Sequence, residues 1–220
     1  MMGLLLIDDI RAQNPERAIA YYNSGRKRYA EGDFDGAIKD FTRAIELSSL
    51  LIDNGNALTT GFDKIRAVDP LTALAYTNRG LVLYYLNDLD DAIGDCTRAI
   101  DINPGIPEAY NCLGLALSKK GDTDEAARSF DRALAIDSNF TEAYNNRGRL
   151  FSTTREYKKA IADFTRALAL NPKEARIYFN RADARYKMYD IAGAMVDLNR
   201  AIELDPGLAA AYHTRGLIHL

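Results

Sequence analysis

The chain has 220 residues, 47% of them hydrophobic and 27% charged, a globular rather than a disordered balance. With 28 Lys and Arg against 31 Asp and Glu, its net charge of −3 excludes a strongly basic nucleic-acid binder. No apolar run is long enough to cross a bilayer, so neither nucleic acid nor membrane is an expected partner.

Residues 1–17 open on a short apolar stretch that has no basic residue before it and runs into Asp8-Asp9. A secretion signal needs a basic start and a longer apolar core, so none is expected. The segment is read as partly helical.

From residue 18 the chain repeats itself. Tyr76, Tyr110, Tyr144, Tyr178 and Tyr212 stand 34 residues apart, and Gly80, Gly114, Gly148, Ala182 and Gly216 follow each by four. Ala92, Ala126, Ala160 and Ala194 keep the same period, as do Ala99, Ala133, Ala167 and Ala201. Tyr21, Gly25, Ala37 and Ala44 form an earlier copy. The copies are therefore 18–51, then an insert at 52–72, then 73–106, 107–140, 141–174 and 175–208, with residues 209–220 beginning a sixth. Positions below are counted within the repeat.

Each copy reads as two helices. Tyr144, Arg147, Gly148 and Phe151 recur at helical spacing, then Tyr157, Ala160, Ile161, Phe164 and Ala167. Asp33, Asp88, Asp122, Glu156 and Asp190 stand between the two helices and are expected to cap the second one. Pro104, Pro172 and Pro206 end second helices. Small residues at positions 8, 20 and 27 let the two helices approach closely.

This pattern of Tyr144, Gly148, Ala160, Phe164, Ala167 and Pro172 resembles the tetratricopeptide repeat (TPR) family. Cys96 and Leu198 replace the second aromatic, and Ser138 and Ser49 the proline. The resemblance implies an all-α, right-handed superhelical solenoid of helical hairpins, with five full repeats plus a terminal half-repeat. It also implies that the first helix of each pair lines a concave groove. In the insert, Asp53-Asn54-Gly55 is a turn signal. Phe62, Ile65, Val68 and Pro70 then copy the spacing with which second helices end, which predicts an extra or extended helix.

No catalytic constellation occurs, and an enzyme is not expected. His213 and His219 are the two histidines, no metal pair stands at helical spacing, and there is no phosphate loop or nucleophile elbow. No cofactor is expected. Cys96 and Cys112 give no disulfide framework; each reads as a small buried hydrophobe, in a reducing, cytoplasmic setting.

What remains is a surface. The resemblance places positions 2, 5, 6 and 9 of each first helix in the groove. Position 6 reads Asn23, Asn78, Cys112, Asn146, Asn180 and Thr214, and Asn111 and Asn145 stand at position 5. Asn offers a donor and an acceptor, as a peptide backbone does. Early repeats add Tyr22, Tyr29, Leu81, Tyr84 and Tyr85; later ones add Arg149, Arg176 and Lys187 with Phe179 and Tyr186. Groove cations, Arg26 and Lys119 among them, outnumber Glu108, Glu142 and Asp183, a bias toward neutral or acidic ligands. A family clamp for C-terminal carboxylates is not matched, since Tyr22, Arg26, Asn78, Glu108 and Cys112 keep only its Asn. The reading is a scaffold that binds an extended peptide or partner helix in the groove. The alternative is a homo-oligomer joined through the terminal half-repeat or the N-terminal segment.

Comparing repeats gives one further expectation. Position 7 reads Ser24, Arg79, Leu113, Arg147 and Arg181, and position 23 reads Asp40, Asp95, Ser129, Asp163 and Asp197. Arg accompanies Asp, and Leu accompanies Ser. The covariation predicts ion pairs Arg79–Asp95, Arg147–Asp163 and Arg181–Asp197, with Arg98, Arg166 and Arg200 as weaker competitors.

Overall fold

A computed structural model of the chain describes the backbone of residues 2–53 and 70–218 and the side chains of 16–48 and 70–218. The described residues are helical, with no strand among them, and divide into two compact units, residues 1–120 and 121–220. In the first unit, α1 (Met2–Glu31) pairs with α2 (Phe34–Asp53), and α3 (Pro70–Leu86) with α4 (Leu89–Ile102). There α5 (Pro107–Lys120) packs on α4 and α3. In the second unit, α6 (Thr123–Ile136) packs on α7 (Thr141–Thr153), which pairs with α8 (Tyr157–Leu170). The next hairpin is α9 (Ala175–Lys187) with α10 (Ile191–Leu204), and α11 (Ala209–Ile218) rests on both.

Helix α1 runs unbroken from Met2, so the segment before the first repeat is helical and continuous with it. The expected helix over Phe62, Ile65 and Val68 lies outside the described residues. Pro70, expected to end that helix, opens α3 instead. Its fixed φ and missing N–H suit the first helical turn.

The hairpins close on glycine. A Cβ on Gly25 would sit 2.8 Å from the Phe41 ring, one on Gly148 2.8 Å from Phe164, and one on Gly80 2.9 Å from Cys96 Sγ. Phe41 and Phe164 are buried, so a side chain at any of these glycines would push the two helices apart. In the fifth repeat Ala182 tolerates its methyl because the smaller Leu198 stands opposite.

The hairpin turns share one backbone. Gly32, Asn87, Arg155 and Tyr189 have φ of 81°, 71°, 64° and 62°, and the amide after each reaches back to the last turn of the first helix. Asp33 N–H donates to Arg28 O, Asp88 to Leu83, Glu156 to Phe151 and Asp190 to Arg185, at 2.7–2.9 Å. This is the left-handed helix stop that glycine favours.

The acidic residues cap less often than expected. Asp33 accepts from Gly36 N–H at 3.0 Å and Asp190 from Gly193 N–H at 2.9 Å. Asp88, Asp122 and Glu156 make no such bond. The third helical residue decides: a Cβ at Gly36 or Gly193 would collide with the carboxylate, and Asp91, Glu125 and Lys159 stand at that place in the others. The Gly36 amide, with Arg28 adding, holds the Asp33 carboxyl below its ordinary pKa. Glu156 is lowered instead by Lys159 and by the Thr154 hydroxyl.

Cys96 and Cys112, expected as separate thiols, form a disulfide that joins α4 to α5, with Cα atoms 6.2 Å apart. Both are buried. Their pairing comes from the packing of α5 on α4, which a count of two cysteines does not show. Disulfides persist in oxidising compartments, so the pair lends the reducing, cytoplasmic expectation no support.

Candidate functional site

Two polar ladders fix how the first helices present their faces. The predicted ion pairs are all formed. Arg79 Nε and Nη2 grip both Asp95 oxygens at 2.7 and 2.8 Å, Arg147 grips Asp163 at 2.8 and 2.7 Å, and Arg181 grips Asp197 at 2.9 and 2.7 Å. These bonds raise the pKa of Arg79 and Arg147 against the opposing effect of burial. The competitor Arg200 turns away to Glu203 at 2.9 Å. Where Ser24 replaces Arg, Asp40 takes its cation from Arg28, one turn further along, at 3.0 Å.

Each of these arginines also reaches back one repeat through Nη1. Arg79 donates to Thr42 at 2.9 Å, Arg147 to Asp131 at 2.5 Å, Arg181 to Thr165 at 3.1 Å and Arg215 to Asn199 at 3.1 Å. All four acceptors stand at position 25 of the preceding repeat. The sequence carries this second link as a recurring polar residue, but a recurring polar residue at an exposed position also fits plain solvation.

The asparagines form the other ladder. Asn78 Nδ2 donates to Tyr22 Oη and Asn180 Nδ2 to Asn145 Oδ1, both at 3.0 Å. In each case position 6 donates to position 5 of the preceding repeat. These bonds bring Asn78 together with Tyr22 in the first unit and Asn180 together with Asn145 in the second.

The predicted residues of the first unit, Tyr22, Asn23, Arg26, Asn78, Leu81, Tyr85 and Asn111, stand on the first helices α1, α3 and α5. Arg26 lies 5.9 Å from the Tyr22 ring centroid, and Asn23 is exposed. Tyr29 and Tyr85 meet at 6.0 Å, Phe34 stacks on Tyr85 at 6.3 Å, and Tyr84 meets Tyr85 edge-on at 5.3 Å. Phe34 was not expected here, because it belongs to a second helix. Burial, with Tyr85 adding, raises the Tyr29 hydroxyl pKa. Lys119 covers the Tyr84 ring at 5.0 Å.

In the second unit Asn145, Asn146, Arg149, Arg176, Phe179 and Asn180 line α7 and α9. A shallow pocket of about 220 Å³ opens there over Phe164, walled by Arg149, Phe179 and Asn180. The Ser152 hydroxyl beside it is buried without a hydrogen bond. Lys187 is neutralised by Asp183 at 2.7 Å. Arg149 and Arg176 are exposed and make no ion pair among the described residues. Among the described residues, no cluster of His, Cys, Asp and Glu could hold a metal ion, and no helix is long and apolar enough to cross a membrane.

Tetratricopeptide repeat profiles match residues 5–50, 73–106, 107–140, 141–174 and 175–208. The chain belongs to the tetratricopeptide repeat family. As a TPR fold it supports a scaffold for protein–protein interaction. It is 27% identical over 93 residues to the protein STIP1 homolog of Dictyostelium discoideum. That match takes 42% of this chain and only 13% of the relative. Solved TPR structures share the fold. YrrB, a TPR protein with an unusual peptide-binding site, is 21% identical with a TM-score of 0.62, over 93% of this chain and 95% of its own. The Pseudomonas aeruginosa pilF structure is 17% identical with a TM-score of 0.72, over 90% of this chain and 81% of its own.

Proposed function

We propose that this TPR chain holds an extended peptide of neutral to acidic character along its first-helix faces. One observation carries the reading: Asn180 is fixed by its bond to Asn145 beside Phe179 and Arg149, with Arg176 exposed on the same helix as Asn180. Asn180 uses one amide hydrogen on Asn145, so its second hydrogen and its oxygen remain for a ligand backbone. The amides are set before the ligand arrives, which lowers the ordering cost of binding. The two unneutralised arginines supply the charge preference, and Phe179 the apolar anchor. YrrB, similar in fold, is itself a peptide binder.

The test is selection from a displayed peptide library, followed by anisotropy titration of the peptides recovered. Acidic or neutral sequences, weakened by reversing Arg149 and Arg176 to Glu, are expected. Basic sequences, or peptides indifferent to that reversal, overturn the reading. The homo-oligomer alternative is checked by light scattering, where a monomer at all concentrations removes it.

A further inference from the structure

The pocket of about 220 Å³ between α7 and α9 is lined by donors that the chain itself leaves unused. Hydroxyls on other helices fold back onto their own backbone. Thr77 donates to Ala73 O, Thr97 to Ile93 O, Ser129 to Glu125 O and Thr165 to Ile161 O, at 2.7–2.9 Å. Thr153, next to Ser152, does so on Leu150 O at 2.7 Å. The Ser152 hydroxyl is buried and makes no hydrogen bond. The carbonyl of Gly148, four residues back, is the acceptor that a helical serine ordinarily takes. A buried donor without an acceptor is destabilising, so an unused one calls for a reason. The charges of the pocket lean one way. Asp183 is taken by Lys187 at 2.7 Å, which leaves Arg149 as the uncompensated charge. Arg149 is exposed, makes no ion pair among the described residues, and stands three residues before Ser152, on the same side of α7. Asn180 uses one amide hydrogen on Asn145 and keeps the other. The pocket thus offers a guanidinium, a hydroxyl and an amide, all donors, beside the rings of Phe164 and Phe179.

We propose that this pocket admits one glutamate side chain of the bound peptide. Its methylenes lie along Phe164 and Phe179, and its carboxylate accepts from Arg149, from Asn180 and from the Ser152 hydroxyl, which a rotation about Cα–Cβ turns to the ligand. The charge match is direct, since a carboxylate is the acceptor that a free guanidinium holds best. Aspartate carries the same charge on a shorter stem, and glutamine has the length without the charge. This rests on the groove reading above and adds the side chain that fixes the peptide's register along α7 and α9.

The probe is a set of synthetic decapeptide pools, acetylated and amidated at their ends, equilibrated with the intact chain and counted by mass spectrometry. One central residue is fixed as Glu, Asp, Gln or Leu, and the other positions are random but exclude Asp and Glu. Amidation removes the terminal carboxylate, so the readout belongs to the side chain. The Glu pool should be retained about tenfold better than the Gln and Leu pools, with Asp between them. Arg149→Gln and Ser152→Ala in the chain should each bring the Glu pool down toward the Gln pool. Ser152→Ala should do so without lowering Tm, because it removes a buried donor that has no acceptor. A serine that merely packs would lower Tm and leave the Glu preference in place, which overturns its assignment. Retention of all pools alike by the native chain overturns the glutamate proposal and leaves the groove reading standing, whereas retention of none overturns both. A Glu preference that survives Arg149→Gln with Ser152→Ala, or that needs a free peptide C-terminus, also overturns the proposal.

Discussion

Arg147 grips both carboxylate oxygens of Asp163, at 2.8 and 2.7 Å, while its remaining nitrogen reaches Asp131 of the preceding helix at 2.5 Å. The Arg147 and Asp163 side chains are 19% and 8% exposed, so neither charge is well hydrated on its own. Asp163→Ala should therefore destabilise the protein by about 3 kcal/mol, because it strands a half-buried guanidinium. Arg147→Leu with Asp163→Ser copies what Leu113 and Ser129 supply in the third repeat. Urea denaturation should find this double variant more stable than Asp163→Ala alone. A double variant that is the less stable of the two contradicts the argument.

The asparagine ladder separates two roles of one residue type. Replacing Asn146 and Asn180 with Ala should weaken a selected groove peptide by about 1–3 kcal/mol, the range for lost hydrogen bonds in a partly desolvated site. Asn145→Ala removes the acceptor that orients Asn180, so it should weaken the same peptide by a smaller amount. Isothermal titration calorimetry reads both. Unchanged affinity in the Asn146→Ala, Asn180→Ala variant would show the ladder to be structural alone.

Arg155 and Tyr189 hold φ of 64° and 62°, where an L side chain crowds its own backbone. Tyr189 is 89% exposed and has little packing to lose. Tyr189→Gly and Arg155→Gly should each raise stability by about 1 kcal/mol, reversing the usual sign of a change to glycine. Thermal melting of each variant checks this; a lowered Tm for both would refute it.

The Cys96–Cys112 bridge closes a loop of 16 residues' separation. In the chain-entropy account such a loop contributes about 3 kcal/mol. Reductant should lower the midpoint of urea unfolding accordingly. Thiol titration of the unfolded, unreduced chain should detect no free cysteine. Two titratable thiols in protein purified without reductant would mean that the residues pack as a reduced pair.

The hairpins were legible because a 34-residue period repeats every constraint several times over. Gly148 under Phe164 and Gly25 under Phe41 are one steric rule seen twice, and a second copy turns a coincidence into a pattern. The Arg–Asp pairs were legible for a related reason: position 7 changes to Leu in the same repeat in which position 23 changes to Ser. Features that depend on a residue at another position escaped. Whether Asp33 or Asp88 caps its helix depends on the residue three places on, and propensity for the cap position alone is blind to Gly36 against Asp91. The bond from Asn180 to Asn145 joins residues 35 apart, and sequence suggested only that both face the groove. Pro70 illustrates the same limit, since a proline that can end one helix can equally begin the next.

The backward reach of Arg147 and Arg181 makes the 34-residue unit self-consistent across its own boundary. The fourth and fifth repeats each carry the arginine that grips the predecessor, and the third and fourth each offer, at position 25, the acceptor that the successor needs. A tandem copy of residues 141–174 placed after residue 174 would find Thr165 waiting for the new Arg147, and its own Thr165 would serve Arg181. Lengthening by duplication therefore calls for no newly invented contact at the seam, which is the condition under which such a chain can grow or shrink by whole units.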